Sequence, residues 1–346
     1  MSNVKPTAPW KASKRDRLRD ALIFIGTAIF TYIFVGVTPM KGKLAYFIVF
    51  LISYAIATGL LSFLKFGVMT AKDSAVKVVI AGGAILTVLP IASILITIIQ
   101  KGYKGIKPNI FTSDMSMATS TDPLTNGGLL HAILGTILLV VVALILSLPI
   151  GILTALYLTE IKGRFTRPIR FLVQAMSGVP SIVAGLFILS AVIYPITKNN
   201  SGFMGSLALT ILMIPTIART SEEVLNLIPQ DLREAGTALG GTQWRTVAMI
   251  VLPAAKSGLI TAMILGVARI AGETAPLLLV TGGGDRINGN PFKDPMGSLP
   301  FYIWKSFSAG SEEAITRAWA GLLVLVLLVL ILFSTARFLS NRKVAR

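Results

Sequence analysis

Apolar runs about as long as a bilayer is thick recur along this chain, and they constrain its fold more than any other feature. Eight occur, at 21–38, 44–64, 78–99, 130–158, 169–194, 203–218, 258–281 and 314–339. About 20 apolar residues cross the hydrocarbon core as a helix. With no water there to satisfy backbone N–H and C=O groups, only helices or a closed barrel can span. Runs this long, without two-residue alternation, specify an all-α polytopic membrane bundle of about eight transmembrane helices. The chain is 54% hydrophobic and 14% charged, with a mean hydropathy of +0.77. Soluble domains carry roughly 25% charged residues.

The net charge of +17 points to topology, not nucleic acid, because the basic residues sit between the apolar runs. With the N-terminus inside, 21 of the 32 lysines and arginines fall in cytosolic segments and 10 outside, with Arg269 inside a run. Both termini are therefore expected in the cytosol, and the first run is expected to be an uncleaved anchor. Residues 1–20 read as a solvated basic tail, 39–43 as a tight turn, and the Lys65, Lys72 and Lys77 segment as a basic link. The stretch 100–129 reads as a polar outer loop. Zero cysteines and one histidine exclude disulfides and Cys- or His-rich metal sites. That histidine, His131, is expected at the outer interface, and Gly282-Gly283-Gly284-Asp285 as a flexible outer loop.

Two runs are irregular. The fourth exceeds one perpendicular crossing and carries Pro149 and Gly151, which are expected to kink it. The fifth is interrupted by Ser177-Gly178-Val179-Pro180-Ser181. Broken backbone at membrane depth is tolerated where it meets protein or lines a cavity. A half-helix starting near Pro180 would direct free N–H groups at an anion.

The segment 219–257 lies on the cytosolic side and needs structure of its own. Pro229 followed by Asp231 starts a helix, and Gly240-Gly241 stops it. Thr242 caps a second short helix that is expected to end before Pro253. In the seventh run, Arg269 and Glu273 stand four residues apart, so they share a helix face and can pair. Ala262, Gly266 and Pro276 lie on roughly that face. A charge at mid-membrane costs about 2.5–3.5 kcal/mol or more and faces protein or water. Two readings stay open: an internal pair that fixes packing, or a cationic station for an oxyanion, where the planar guanidinium suits a tetrahedral ligand.

Glu234, Ala235, Gly240, Ile250, Leu252 and Pro253 match the Glu-Ala-Ala-x3-Gly-x9-Ile-x-Leu-Pro spacing of the coupling loop in ABC-importer permeases, with Gly236 in place of the second Ala. Residues 127–136, Ser177 to Val183 and Ala268 to Pro276 further resemble the A-type permease of the phosphate-specific ABC importer. The resemblance implies a type I ABC importer permease fold over 78–340, preceded by a tail and two extra helices in 1–77. It implies a coupling loop that docks into an ATPase through Glu234, Ala235, Gly236, Gly240, Ile250, Leu252 and Pro253, and a phosphate pathway near Arg269, Glu273, Ser177, Ser181 and Thr274. The implied partners are a C-type permease subunit, an ATPase homodimer and an extracytoplasmic phosphate-binding protein, in a bacterial or archaeal inner membrane and its lipid. The chain has no phosphate-cradling Gly-x4-Gly-Lys-Ser/Thr segment, so it is expected to carry no cofactor, with ATP and magnesium on the ATPase. Another transported oxyanion, or a membrane scaffold on the same fold, are the alternatives.

Overall fold

The structure, a computed structural model, describes residues 14–39 and 42–342. The expected roles of Lys5 and Lys11 in the tail, of Met40 and Lys41 in the turn, and of Lys343 and Arg346 at the C-terminus lie outside the described residues. The chain forms two compact units divided at Ile96/Thr97. Among the described residues, seven helices are long and apolar enough to cross a membrane. An eighth span results if a pair bent by 105° counts as one.

The first unit holds α1 (Lys14–Val37), α2 (Lys43–Phe66) and the start of α3 (Val68–Gly105). Phe24 of α1 sits edge-on to Phe50 and Tyr54 of α2, with ring centroids 5.1 and 6.0 Å apart. The Ser62 and Ser74 hydroxyls meet at 2.8 Å between α2 and α3, and Leu51 covers Gly82. Hydroxyls within these helices bond back to their own backbone, as the buried Thr31 does to the Thr27 carbonyl at 2.7 Å, next to Ser53 of α2. Two expectations change here. Residues 14–20 are the first turns of α1, not tail. The basic link is almost entirely helical, because only Gly67, at φ +85°, separates α2 from α3. A left-handed glycine reverses the chain within one residue, and no breaker follows to delay α3.

The second unit is organised around α7 (Gly202–Asn226), which begins at a Ser201 cap accepting from the Met204 N–H. Against it pack α4 (Leu130–Leu156), α5 (Thr166–Ser177), α6 (Ser181–Ile188, prolonged by a wider π-helical stretch to Thr197), α10 (Leu252–Ile270) and α11 (Ala275–Val280). Its buried Leu209, Met213 and Ile217 meet Leu139 and Ala143 of α4, Ile270 and Leu277. Lipid competes with helix–helix apolar contact, so close approach at small residues holds such a bundle. A Cβ on Gly151 would strike Ile217, and one on Gly266 would strike Ile217 and Met213. A shorter α12 (Leu299–Ala309) and α13 (Glu312–Arg342) complete the unit, with α8 (Gln230–Ala238) and α9 (Gln243–Thr246) between α7 and α10.

The outer loop is tightly built. The Arg317 guanidinium, 5% exposed, donates to the carbonyls of Asp122, Pro123 and Asn126 at 2.7–3.1 Å. Thr136 of α4 accepts from the Leu299 N–H at 2.8 Å. His131 is not interfacial: it is 2% exposed and edge-on to Tyr302. Nor is the triple-glycine segment loose, because Gly283 lies against the Phe301 ring and Gly284 against the Pro295 carbonyl. The glycines there serve close packing.

Candidate functional site

The segment after α7 folds as a compact helical knob. Pro229 supplies a fixed φ at the start of α8. At its end the Gly240 N–H bonds to Thr237 O at 2.9 Å and the Gly241 N–H to Gly236 O at 3.1 Å, with Gly240 at φ +80°. This is a Schellman stop, which glycine adopts without a Cβ penalty. Thr242 then caps α9 by accepting from the Arg245 N–H. Gly236 is the tight position: a Cβ there would strike Thr246 and Ile250. Gly240 has open space around it, so its role within this chain is conformational.

Two boundaries of the segment differ from expectation. Residues 219–226 continue α7, with Ser221 buried, so the loop proper starts at Leu227. The second short helix does not end before Pro253. It passes through a π turn, Val247–Val251, directly into α10, and the whole runs unbroken from Gln243 to Ile270. In that turn the Leu252 N–H reaches back to Val247 O, and the altered register absorbs the N–H that Pro253 lacks. The knob and the membrane helix are thus one mechanical piece.

The contact that orients the knob went unread in the sequence. Arg233 donates from Nε and Nη2 to the Glu160 carboxylate at 2.8–3.1 Å, from Nη1 to Ile228 O at 2.6 Å, and from Nη2 to Leu225 O at 2.8 Å. Gln243 adds a bond to Glu160 O at 2.6 Å. The two charged side chains are 17% and 8% exposed. One guanidinium therefore joins the end of α4, the end of α7 and α8, beside a cavity of about 600 Å³. The available signal was Glu160, the lone acid in the basic 160–170 segment. Outward, the knob shows Leu227, Leu232, Leu239, Trp244 and Met249, with Glu234 and Ala235 also exposed. Ile250 and Leu252 are half-buried and Pro253 is exposed.

The second candidate region lies where α10 ends. Arg269 Nη1 meets Glu273 Oε1 at 2.6 Å, the pairing the four-residue spacing predicts. Its setting differs from the expected one. The helix stops at Ile270, residues 271–274 form a break, and α11 starts at Ala275, so Glu273 lies beyond the helix instead of on its face. The pair is also less buried than expected, with Glu273 12% exposed but Arg269 45%. The buried stripe of α10 is Ala262, Gly266 and Ile270, pressed on α7, and Arg269 falls beside it. Thr274 stands at the N-terminus of α11, its hydroxyl directed to Gly272 O.

The fifth run breaks where the sequence places the interruption. Ser177 closes α5, bonding back to Val173 O, and Ser181 opens α6 after Pro180. Gly185 of α6 lies against Pro276, so the start of α6 and the break after α10 are brought alongside each other. Among the described residues, no hydrogen bond links Ser177 or Ser181 to Arg269.

Comparison with known proteins places this architecture. The model of a family described as binding-protein-dependent transport system inner membrane component matches residues 147–345. The chain is 36% identical over 263 residues to the phosphate transport system permease protein PstA of Mycobacterium leprae, covering 75% of this chain and 86% of that protein. It is 38% identical over 253 residues to PstA of Pasteurella multocida, covering 72% and 88%. Among solved structures, a chain of the inward-facing MetNI methionine ABC transporter aligns over 62% of this chain and 92% of its own length, at 19% identity and a TM-score of 0.47. With its bundle, its helical knob and a family match across more than half its length, the chain belongs to the binding-protein-dependent inner membrane components, the permeases of ABC importers.

Proposed function

We propose that the chain is the PstA-like permease subunit of an ATP-driven phosphate importer and forms half of its translocation pathway. The observation that carries this reading is the unbroken helix from the knob at Gln243 to Arg269, because it joins a partner-accessible surface to a charged break between helices. An ATPase homodimer receives the knob through Glu234, Ala235 and the exposed apolar residues around them. Gly236 and Gly240 hold the knob's shape from within, while Ile250, Leu252 and Pro253 carry its displacement into α10. ATP is hydrolysed on that partner and not on this chain. The half-exposed side of Arg269 faces a companion C-type permease, so the anion path runs between two chains and is supplied by an extracytoplasmic phosphate-binding protein. Arg269 takes the passing oxyanion, Glu273 holds the guanidinium in place, and Ser177, Ser181 and Thr274 supply polar groups along the path. Residues 78–340 are the importer permease proper, and 1–77 add a tail and two helices to it.

Arg269→Gln and the double change Arg269→Gln with Glu273→Gln test the anion station. The single change leaves a carboxylate without its partner, and the double change removes both charges. We expect the double variant to assemble with its ATPase and still to lose phosphate uptake by at least tenfold. Uptake restored to the wild-type level in the double variant would reduce the pair to a packing element.

A further inference from the structure

We propose that Lys162, Arg164 and Arg167, with the outer face of α5, form a binding site for the headgroup of an anionic phospholipid on the cytosolic leaflet. Four observations lead there, resting on the reading of the chain as a membrane permease. First, α5 is bent by 105° from the span that follows it, so it runs across the direction in which α6 crosses. Second, α5 is amphipathic in a particular way. Val173 is buried and Ile169 and Met176 are partly buried on one face; Phe165 and Leu172, 51% and 57% exposed, flank them on that same apolar face, and Phe171, 73% exposed, lies off it. A helix with this division lies in the membrane interface with its apolar side among acyl chains.

Third, an open bay of about 590 Å³ adjoins that face, lined by Lys162, Gly163, Arg164, Thr166, Arg167 and Arg170. Arg170 is tied to Glu222, at 2.6 Å, but Lys162, Arg164 and Arg167 have no carboxylate partner among the described residues. Arg164 stacks on the Phe165 ring at 4.7 Å, which holds its guanidinium at the rim. Fourth, the bay's shape is imposed by the backbone: Lys162 sits at φ +50° and closes the π turn that ends α4, so the chain doubles back and gathers the cations. Aromatic rings beside clustered cations match the two parts of an acidic lipid, acyl chain and phosphate. A companion permease is the poorer occupant, because its cytosolic ends carry the same sign of charge. The bay shares Lys162 with the cavity that Glu160 lines, so a bound lipid would sit two residues from the carboxylate that anchors the knob.

The test uses the purified importer complex in detergent and follows its melting temperature. The probes are short-chain phosphatidylglycerol, phosphatidylcholine of equal chain length, and inorganic phosphate. Phosphatidylglycerol should raise the melting temperature saturably and phosphatidylcholine should not. Each basic residue near an anionic surface contributes about fivefold in affinity, so the triple change Lys162→Gln, Arg164→Gln, Arg167→Gln should abolish the shift. A control with Arg286→Gln and Lys293→Gln, on the loop expected outside, should keep it. Should the triple variant fail to assemble, Arg167→Gln alone should weaken the response about fivefold. An unchanged response in these variants would overturn the proposal. So would a shift reproduced by inorganic phosphate, which would make the bay a free-anion site. Disulfide or photochemical capture of a neighbouring subunit from position 167, in place of lipid, would equally overturn it.

Discussion

Arg233 makes more of the site than its place one residue before the recognisable motif suggests. Its fork satisfies a carboxylate and two carbonyls at once, a task that lysine's single ammonium does not reproduce. Arg233→Gln leaves Glu160 buried without a cation, a loss worth about 3–5 kcal/mol. We expect a lower melting temperature and fewer phosphate ions moved per ATP, whereas ATP binding by the complex stays near normal. Measuring hydrolysis and uptake together checks this, and an unchanged ratio would remove Arg233 from coupling. Asp114 offers a pH-dependent test on the outer loop. The Ser116 hydroxyl, donating at 2.7 Å, together with the Ser116 and Ile287 N–H groups, holds its carboxyl below the usual range against an opposing push from burial. A depressed carboxyl contributes stability above its unfolded value of about 3.9, and that stability is lost as pH falls through the folded value. Protection of the Ile287 amide from exchange should therefore fall below about pH 4, and Asp114→Asn should remove that dependence. At this scale the sequence was legible where chemistry is local, as in the four-residue Arg269–Glu273 spacing. His131 and Arg233 were not legible, because partners far along the chain decide their burial.

Among elements, α8 was legible because its signals are local: a proline start, a diglycine stop and a threonine cap for the next turn. The structure gives Gly240 a conformational role, at φ +80° with open space around it, and puts the tight contact at Gly236. Gly240→Leu should impair coupling through backbone strain of about 1–2 kcal/mol, whereas Gly240→Asn, which tolerates the left-handed region, should retain most of it. Equal loss in both would instead mean that a partner packs directly on that position. Gly236→Leu should be worse than either, because Thr246 and Ile250 occupy the space a side chain needs. Uptake and hydrolysis rates of the three variants rank these effects. The unbroken passage from α9 into α10 was not legible. A proline after a capped turn reads as a stop, and only the π register shows how the helix continues. The break at 271–274 was hidden differently. Its residues sit inside an apolar run, and the packing of Pro276 on Gly185 separates α11 from α10.

For the whole molecule, hydropathy specified an all-helical membrane bundle and the approximate number of spans, because bilayer thickness imposes a length on each run. It did not specify where helices continue past the hydrocarbon, as α3 and α7 do, because polar helical turns carry no hydropathy signal. Sidedness follows from charge and can be tested in this cysteine-free chain. Thr242→Cys should react with a membrane-impermeant thiol reagent only from the cytosol, and Arg286→Cys only from outside. The claim that joins knob, helix and charged break is ATP-driven phosphate import. Its most direct measurement is uptake of labelled phosphate by proteoliposomes containing this chain with its companion permease, ATPase and binding protein. The account predicts accumulation that requires ATP and all four components, is competed by unlabelled phosphate in preference to phosphonate or molybdate, and is abolished by Arg269→Gln. Accumulation indifferent to ATP, or competed more strongly by another oxyanion than by phosphate, would contradict it.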